Sequence, residues 1–358
     1  MIPTSDPPAG AAADAASAAA GQQPSIARSP TQFERGANHA FRTLAQVCAW
    51  LTVLLVVYIV VRITAAAIPS MRQYGVAFLT GKTWDANTEQ YGIRAEIWGT
   101  LYSSLLALLI GSVFGLAVAL FLSERMLSSC VFWALKGLGV QFHPFWRRLP
   151  DSLERLLKNL IELLAAIPSV VYGLWGIYVL IPLIRPACNW CHHYLGWIPI
   201  FGSPLSGPGM LPAAIVLAIM ILPTISAISR DALSAVPPKL REAAYGLGAT
   251  RWEAILAVIM PTAITGIFGS IVLAFGRALG ETMALAMLVG NANKIDWSLF
   301  SPANTLAALL ANNFPEAAPK ERGVLMYAAL VLLGITLIVN ILGTLILFRA
   351  SRGLKEAR

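Results

Sequence analysis

Long apolar stretches separated by short polar ones are the dominant pattern along this chain. Six of them, residues 44–68, 97–122, 156–184, 210–228, 262–289 and 324–348, are long enough to cross a hydrocarbon core, which takes about 20 apolar residues as a helix. Arg62 falls near the far end of the first stretch, where its head can snorkel to the interface. Pro168 interrupts the third, and Pro212 and Pro223 lie in the fourth. Such residues are tolerated in membrane helices because neighbouring helices re-satisfy the freed backbone groups. Gly111 and Gly115, and Gly276 and Gly280, have the four-residue spacing that lets two helices approach closely. The pattern predicts an all-α, polytopic membrane protein with six transmembrane helices.

Composition agrees. The 358 residues are 57% hydrophobic and 12% charged, and a soluble globule of that make-up could not hide its apolar surface from water. Residues 1–43 differ: they are rich in Ala, Pro, Ser and Gly and read as a disordered tail. They lack the short apolar core of a signal peptide, so the first span is expected to serve as signal and anchor together. The 26 Lys and Arg against 18 Asp and Glu would raise the question of nucleic acid in a soluble protein. No zinc-finger spacing, RNP pattern or basic stripe with interleaved aromatics supports that. The cations instead report orientation. With the N-terminus inside, the inside segments carry 17 Lys and Arg and the outside segments 7, which places both termini in the cytoplasm. Within the stretch 125–155, Trp133, Phe142, Phe145 and Trp146 mix with Lys136, Arg147 and Arg148. That mixture suits a segment at the cytoplasmic interface.

Cys188-Asn189-Trp190-Cys191-His192 has the C-x-x-C-H form of covalent haem attachment, and it falls in a loop assigned to the outside. No second axial ligand is clearly placed, and a zinc site with His193 lacks a full ligand set. An incidental pair or a disulfide is the plainer reading.

Two places carry candidate chemistry. In the cytoplasmic loop between spans four and five, Pro237-Pro238 ends what precedes it. Glu242-Ala243-Ala244 then runs as helix into Gly246 and Gly248. Thr250-x-x-Glu253 is a capping-box pattern that starts a second helix, and Pro261 stands at the membrane edge. Two short helices are expected there, with Ala243, Ala244 and Gly248 forming a low-relief knob for another protein's groove. In span five, Arg277 falls close to the bilayer centre. An Arg there costs at least about 2.5–3.5 kcal/mol on insertion scales, so it must have a partner or line water. Glu281 lies four residues on, on the same helix face, so the two can pair. The pair reads either as a structural lock or as an anion site, since a guanidinium fork matches phosphate-like oxygens.

The spacing E-A-A-x3-G-x9-I-x-L-P resembles the coupling loop of ABC-importer permeases at Glu242, Ala243, Ala244, Gly248 and Pro261, with Val258 and Met260 as conservative departures. The run Gly276-Arg277-Ala278-Leu279-Gly280-Glu281-Thr282-Met283 is similar to the signature of PstC-type permease subunits of phosphate ABC importers. The stretches 161–175 and 209–222 agree with that family as well. The resemblance implies a type I ABC-importer permease fold in a bacterial inner membrane. It implies a transport subunit rather than an enzyme, with Arg277 and Glu281 on the substrate pathway and the 237–261 loop docking on an ATPase. The implied partners are a PstA-type permease, a cytoplasmic ATPase dimer, a periplasmic phosphate-binding protein, phosphate and membrane lipid. No cofactor belongs to this chain: it has no G-x4-G-K-[ST] pattern, and ATP and magnesium would sit on the ATPase. The alternatives are a permease for another oxyanion such as sulfate or molybdate, or a membrane c-type cytochrome using Cys188, Cys191 and His192.

Overall fold

The computed structural model describes residues 31–85, 88–124 and 144–356 of the chain. It divides into two compact units, residues 1–61 and 62–358. In the first, the described residues from Gln32 onward are helical, and large apolar side chains such as Leu51, Leu54 and Tyr58 are exposed. A helix that is apolar all round and exposed belongs in hydrocarbon rather than water. This helix, α1 (Gln32–Tyr74), begins inside the stretch expected to be a disordered tail. That expectation is corrected for residues 32–43, where Glu34 and the Thr31 side chain cap the first turn. Residues 1–30 lie outside the described part.

In the second unit, the short helix α2 (Ala77–Thr80) and a two-residue hairpin, β1 (Trp84–Asp85) with β2 (Gln90–Tyr91), lead into α3 (Arg94–Ser123). After the undescribed residues 125–143 come α4 (Pro144–Ala166) and α5 (Ser169–Leu195), the latter opened by a π turn at Gly176–Leu180. Then follow α6 (Met210–Ser234), α7 (Pro238–Gly246) and α8 (Arg251–Leu279). The short α9 (Met283–Leu288), α10 (Leu306–Asn313) and the long α11 (Pro319–Glu356) complete the order. Six helices, α1, α3, α5, α6, α8 and α11, are long and apolar enough to cross a membrane.

The bundle is assembled around α6. Its neighbour α3 runs parallel to it, because Gly111 and Gly115 of α3 lie against Ile221 and Ile225. A Cβ on either glycine would come within 3.0 Å of those side chains, so the small-residue spacing has a packing reason here. Helix α8 runs antiparallel to α6: Ser270 bonds Ser229 at 2.8 Å, and Gly266 faces Ala232. Gly276 likewise lets α11 close in at Asn340, whereas Gly280 meets no other helix. Its role is to end α8. We call the end of the bundle holding the 235–250 loop proximal and the end holding the hairpin distal. At the distal end, the extended stretch 289–305 folds back over the start of α6. The Gly209, Met210 and Leu211 amides donate to Leu288, Ser301 and Leu299 carbonyls at 2.7–3.1 Å. Those are amides that a helix start leaves without partners.

Two expected spans are corrected. The third, read as 156–184, is two elements. Pro168 has no N–H and disfavours helix at Ile167, so the chain breaks between Ala166 and Ser169. The membrane-length helix is α5, and it extends eleven residues past the expected end. Helix α4 is instead sharply two-faced, with Leu153, Leu156, Leu160 and Leu163 exposed on one side and Lys158 paired with Glu162. The fifth span, read as 262–289, is also two elements, with a break at Gly280-Glu281-Thr282 between α8 and α9. Of the stretch expected at the interface, 125–143 lies outside the described residues, and the rest belongs to α4.

Candidate functional site: a broken helix and a docking loop

Depth in the bundle follows from the Ser229–Ser270 bond. Seven residues beyond Ser270 along α8, and seven back from Ser229 along α6, Arg277 is level with Leu222, the midpoint of Met210–Ser234. Arg277 therefore sits near the middle of the membrane-spanning layer. It occupies the last turn of α8, and the helix ends two residues later. The Gly280 and Glu281 amides close the end by bonding the Arg277 and Ala278 carbonyls. A helix end leaves carbonyls short of partners and a partial negative charge. A cation in the last turn offsets that charge. Irregular backbone at membrane depth is tolerated where it is buried in protein or lines a water-filled cavity, and discontinuous helices recur at transporter binding sites.

The Arg277 side chain is exposed on this chain, and Glu281 is half-buried. The expected pairing of the two on one helix face is corrected: α8 stops at Leu279, so Glu281 is not on the same helix. Among the described residues no ion pair joins them. The guanidinium is instead within electrostatic reach of the Tyr172 hydroxyl. Tyr172 is buried on α5 and donates to the Leu164 carbonyl at 2.7 Å. Thr282 and the Asn340 amide, which borders Gly276, add polar groups around the break. The arrangement offers one unneutralised fork of donors at mid-depth, a carboxylate beyond it, and a face open to a second subunit or to water. Sequence reasoning found the two charges but missed Tyr172 and Asn340, because only packing brings α5 and α11 to this level. Gly280 was the available signal for the break.

At the proximal end, α7 places Glu242 and Ala243 on the surface, with Leu247 90% exposed beside them. Ala244 is buried, so it belongs to the inner side of α7 and not to the expected knob. The helix ends in a Schellman arrangement: the Ala249 amide donates to the Ala244 carbonyl and the Gly248 amide to the Tyr245 carbonyl. Gly248 has φ +86° with no atom near its missing Cβ. It is needed for its backbone angle, not for space. Thr250 and Glu253 form the full capping box. The second short helix is corrected, however: it continues through a π turn at Ile255–Ile259 into α8, so it is the root of a membrane helix. Pro261 follows that turn, where a wider helix accommodates a residue with no N–H.

Sequence reading missed what ties this loop to the bundle. Arg241 bonds Glu124 at 2.7 Å and also donates to the Leu233 carbonyl at 2.8 Å. Arg251 donates to the Glu124 carbonyl. Glu124 caps α3, and Leu233 lies in the last turn of α6. Two guanidiniums thus hold the loop to the ends of two parallel helices, where cations are favoured. Their distance in sequence from Glu124 hides the pairing.

Cys188, Cys191 and His192 are not in a loop, because α5 runs through Leu195. Cys188 is buried, both cysteines are free thiols, and a His192 ring nitrogen bonds the Phe201 carbonyl at 2.7 Å. Among the described residues no group of three or more His, Cys, Asp or Glu is placed to hold a metal ion.

Residues 137–352 match the family described as binding-protein-dependent transport system inner membrane component. The chain belongs to this family. Relatives of the permease include the phosphate transport system permease proteins PstC of Haemophilus influenzae and Mesorhizobium japonicum. The first is 38% identical over 320 residues, 87% of this chain and 93% of the relative. The second is 37% identical over 304 residues, 84% and 85%. Among solved structures, the permease is similar to a bacterial alginate ABC transporter in complex with a pentasaccharide-bound periplasmic protein. That TM-score is 0.53 at 15% identity, over 86% of this chain and 93% of the other. It is similar to an inward-facing methionine ABC transporter too, with TM-score 0.51 at 18% identity over 72% and 95%. These likenesses show the fold: the permease has the all-α architecture of ABC-importer membrane subunits. The family describes a membrane component of a transport system, which does not favour the cytochrome reading of Cys188–His192.

Proposed function

We propose that this permease forms one half of the path by which an ATP-driven importer takes up inorganic phosphate. The other half is a PstA-type permease, a periplasmic phosphate-binding protein delivers the anion, and a cytoplasmic ATPase dimer holds ATP and magnesium. The reading is carried by an exposed arginine at mid-membrane depth where α8 breaks, in a chain whose relatives are named phosphate permeases. The excess of Lys and Arg in the proximal segments supports placing that end, and both termini, in the cytoplasm.

Phosphate entering from the distal side loses its hydration shell as it reaches the break. The Arg277 fork replaces part of that shell with charge-assisted hydrogen bonds. Glu281, in the break just past the end of α8 and not paired with Arg277, repels anions that bring no proton to donate to it. Phosphate at neutral pH has such a proton and sulfate does not. Closure of the ATPase pushes on Glu242, Ala243 and Leu247, and Arg241 and Arg251 pass the movement to α3 and α6 through Glu124 and Leu233.

The test is uptake of labelled phosphate and sulfate by the reconstituted complex carrying Arg277→Gln or Glu281→Gln. A hydrogen bond to a charged group is worth about 1.5–3 kcal/mol, so Arg277→Gln lowers phosphate uptake roughly 10- to 100-fold at unchanged protein level. Glu281→Gln raises sulfate uptake relative to phosphate. Undiminished phosphate uptake with Arg277→Gln would remove Arg277 from the path.

A further inference from the structure

Two cavities lie one after the other between α4–α5 and α6. The first, about 260 Å³, opens near the proximal end. Its rim carries Lys158 and Arg230 with Glu162, and its walls include Ile161 and Pro223. The second, about 390 Å³, continues toward mid-depth along the same two elements and is lined by Leu164, Ile167, Val171, Tyr172, Trp175 and Ile219. The surface these residues present to the cavity is apolar: the Tyr172 hydroxyl already donates to the Leu164 carbonyl, and the Trp175 indole nitrogen adds no polar surface there. From Arg230 to Ile219 is eleven residues of α6, about 16 Å at 1.5 Å per residue. That is roughly half of a ~30 Å hydrocarbon core.

We propose that this groove holds one anionic phospholipid from the cytoplasmic leaflet. The phosphate headgroup sits between Lys158 and Arg230, and an acyl chain fills the inner cavity. The proposal rests on the reading of the proximal end as cytoplasmic only for naming the leaflet. Charge and polarity both vary along the groove as they do along such a lipid. At the rim, Lys158 is 3.8 Å from Glu162 and Arg230 is 3.1 Å from Asp231. Asp231 is mostly exposed and is not among the residues that line the cavity, so the lining itself carries two cations and one carboxylate. A free phosphate ion meets the rim equally well but finds nothing to bond in the inner cavity, where its desolvation has no compensation. A hydrocarbon chain fits there at no such cost. The two-faced α4 has its leucines exposed, as suits a helix at the membrane interface, which keeps the rim of the groove at headgroup level. A lipid held there also wedges α5, which carries Tyr172, against α6 within electrostatic reach of Arg277.

Native mass spectrometry of the full chain, copurified with its partner subunits and equilibrated with phosphatidylglycerol or phosphatidylcholine, tests this. Phosphatidylglycerol is retained at one molecule per permease in preference to phosphatidylcholine. Lys158→Gln and Arg230→Gln each weaken its retention about fivefold, the scale for one basic side chain at an anionic surface. Ile219→Trp leaves both cations in place but fills the inner cavity, and it displaces the lipid as well. Equal retention in all three variants overturns the proposal. So does a loss of labelled inorganic phosphate binding in the two rim variants with lipid retention unchanged, which makes the groove part of the anion's exit. A crosslink from Val171→Cys to the second permease in place of lipid overturns it too. The readout is bound lipid, so its failure is separate from any failure of phosphate as cargo.

Discussion

Arg277 stands in a place that both of its neighbourhoods favour. The last turn of α8 carries partial negative charge, and the face beyond it is open on this chain. Lysine would keep the charge but lose the planar fork, so Arg277→Lys is expected to lower uptake less than Arg277→Gln does, without restoring it fully. A second residue-scale prediction concerns Gly99, whose Cβ would land on the Asn304 carbonyl oxygen. Gly99→Ala overpacks that contact and lowers stability by about 1–3 kcal/mol, read from thermal unfolding of the solubilised chain. Gly99 looks in sequence like any other glycine near the start of a membrane helix. Its partner is more than two hundred residues away, so nothing local marks it. Arg277 was legible for the opposite reason: a charge inside an apolar run is anomalous wherever the chain folds.

At the scale of elements, two glycines of the proximal loop separate backbone conformation from space. Gly248 has positive φ and open surroundings, so Gly248→Ala costs about 1–2 kcal/mol of local stability through strain alone. Gly246, the last residue of α7 with equally open surroundings, gains helix propensity from the same change, by less than the ~1 kcal/mol of a helix interior. Hydrogen exchange of the 237–250 amides reads both, with opposite signs. The Arg241–Glu124 pair belongs to this scale as well. Glu124→Gln leaves the Arg241 guanidinium half-served. It is expected to lower transport per ATP hydrolysed more than it lowers ATPase binding, because the loop stays displayed while its tie to α3 weakens. Exchanging the two as Glu124→Arg with Arg241→Glu restores part of the coupling if the pair itself carries the movement. The capping box and the helix-then-turn pattern were readable from local residue types. The run of α7's partner into α8 was not, because a π turn before Pro261 preserves a helix that proline alone would be expected to end.

For the whole molecule, orientation is the property that sequence reaches first and geometry alone does not. A reporter enzyme active only outside the membrane is expected to be inactive when fused after residue 358 and active when inserted in the hairpin near Thr88. The reverse result would exchange the two ends of the proposed path. The six apolar stretches, the sign of the loops and the two anomalous charges follow from composition and period, since hydrocarbon thickness sets how long an apolar run must be and insertion penalises any charge within it. These needed no tertiary structure. Packing alone decided that α3 meets α6 through Gly111 and Gly115, that α8 stops at mid-depth, and that Glu281 therefore does not pair with Arg277. It also set Tyr172 and Asn340 beside the break and tied the loop to Glu124. Each of these depends on contacts between residues far apart in the chain. An apolar solvent gives every span the same local pattern, so which faces meet is settled by shape and by the few polar groups that must find partners.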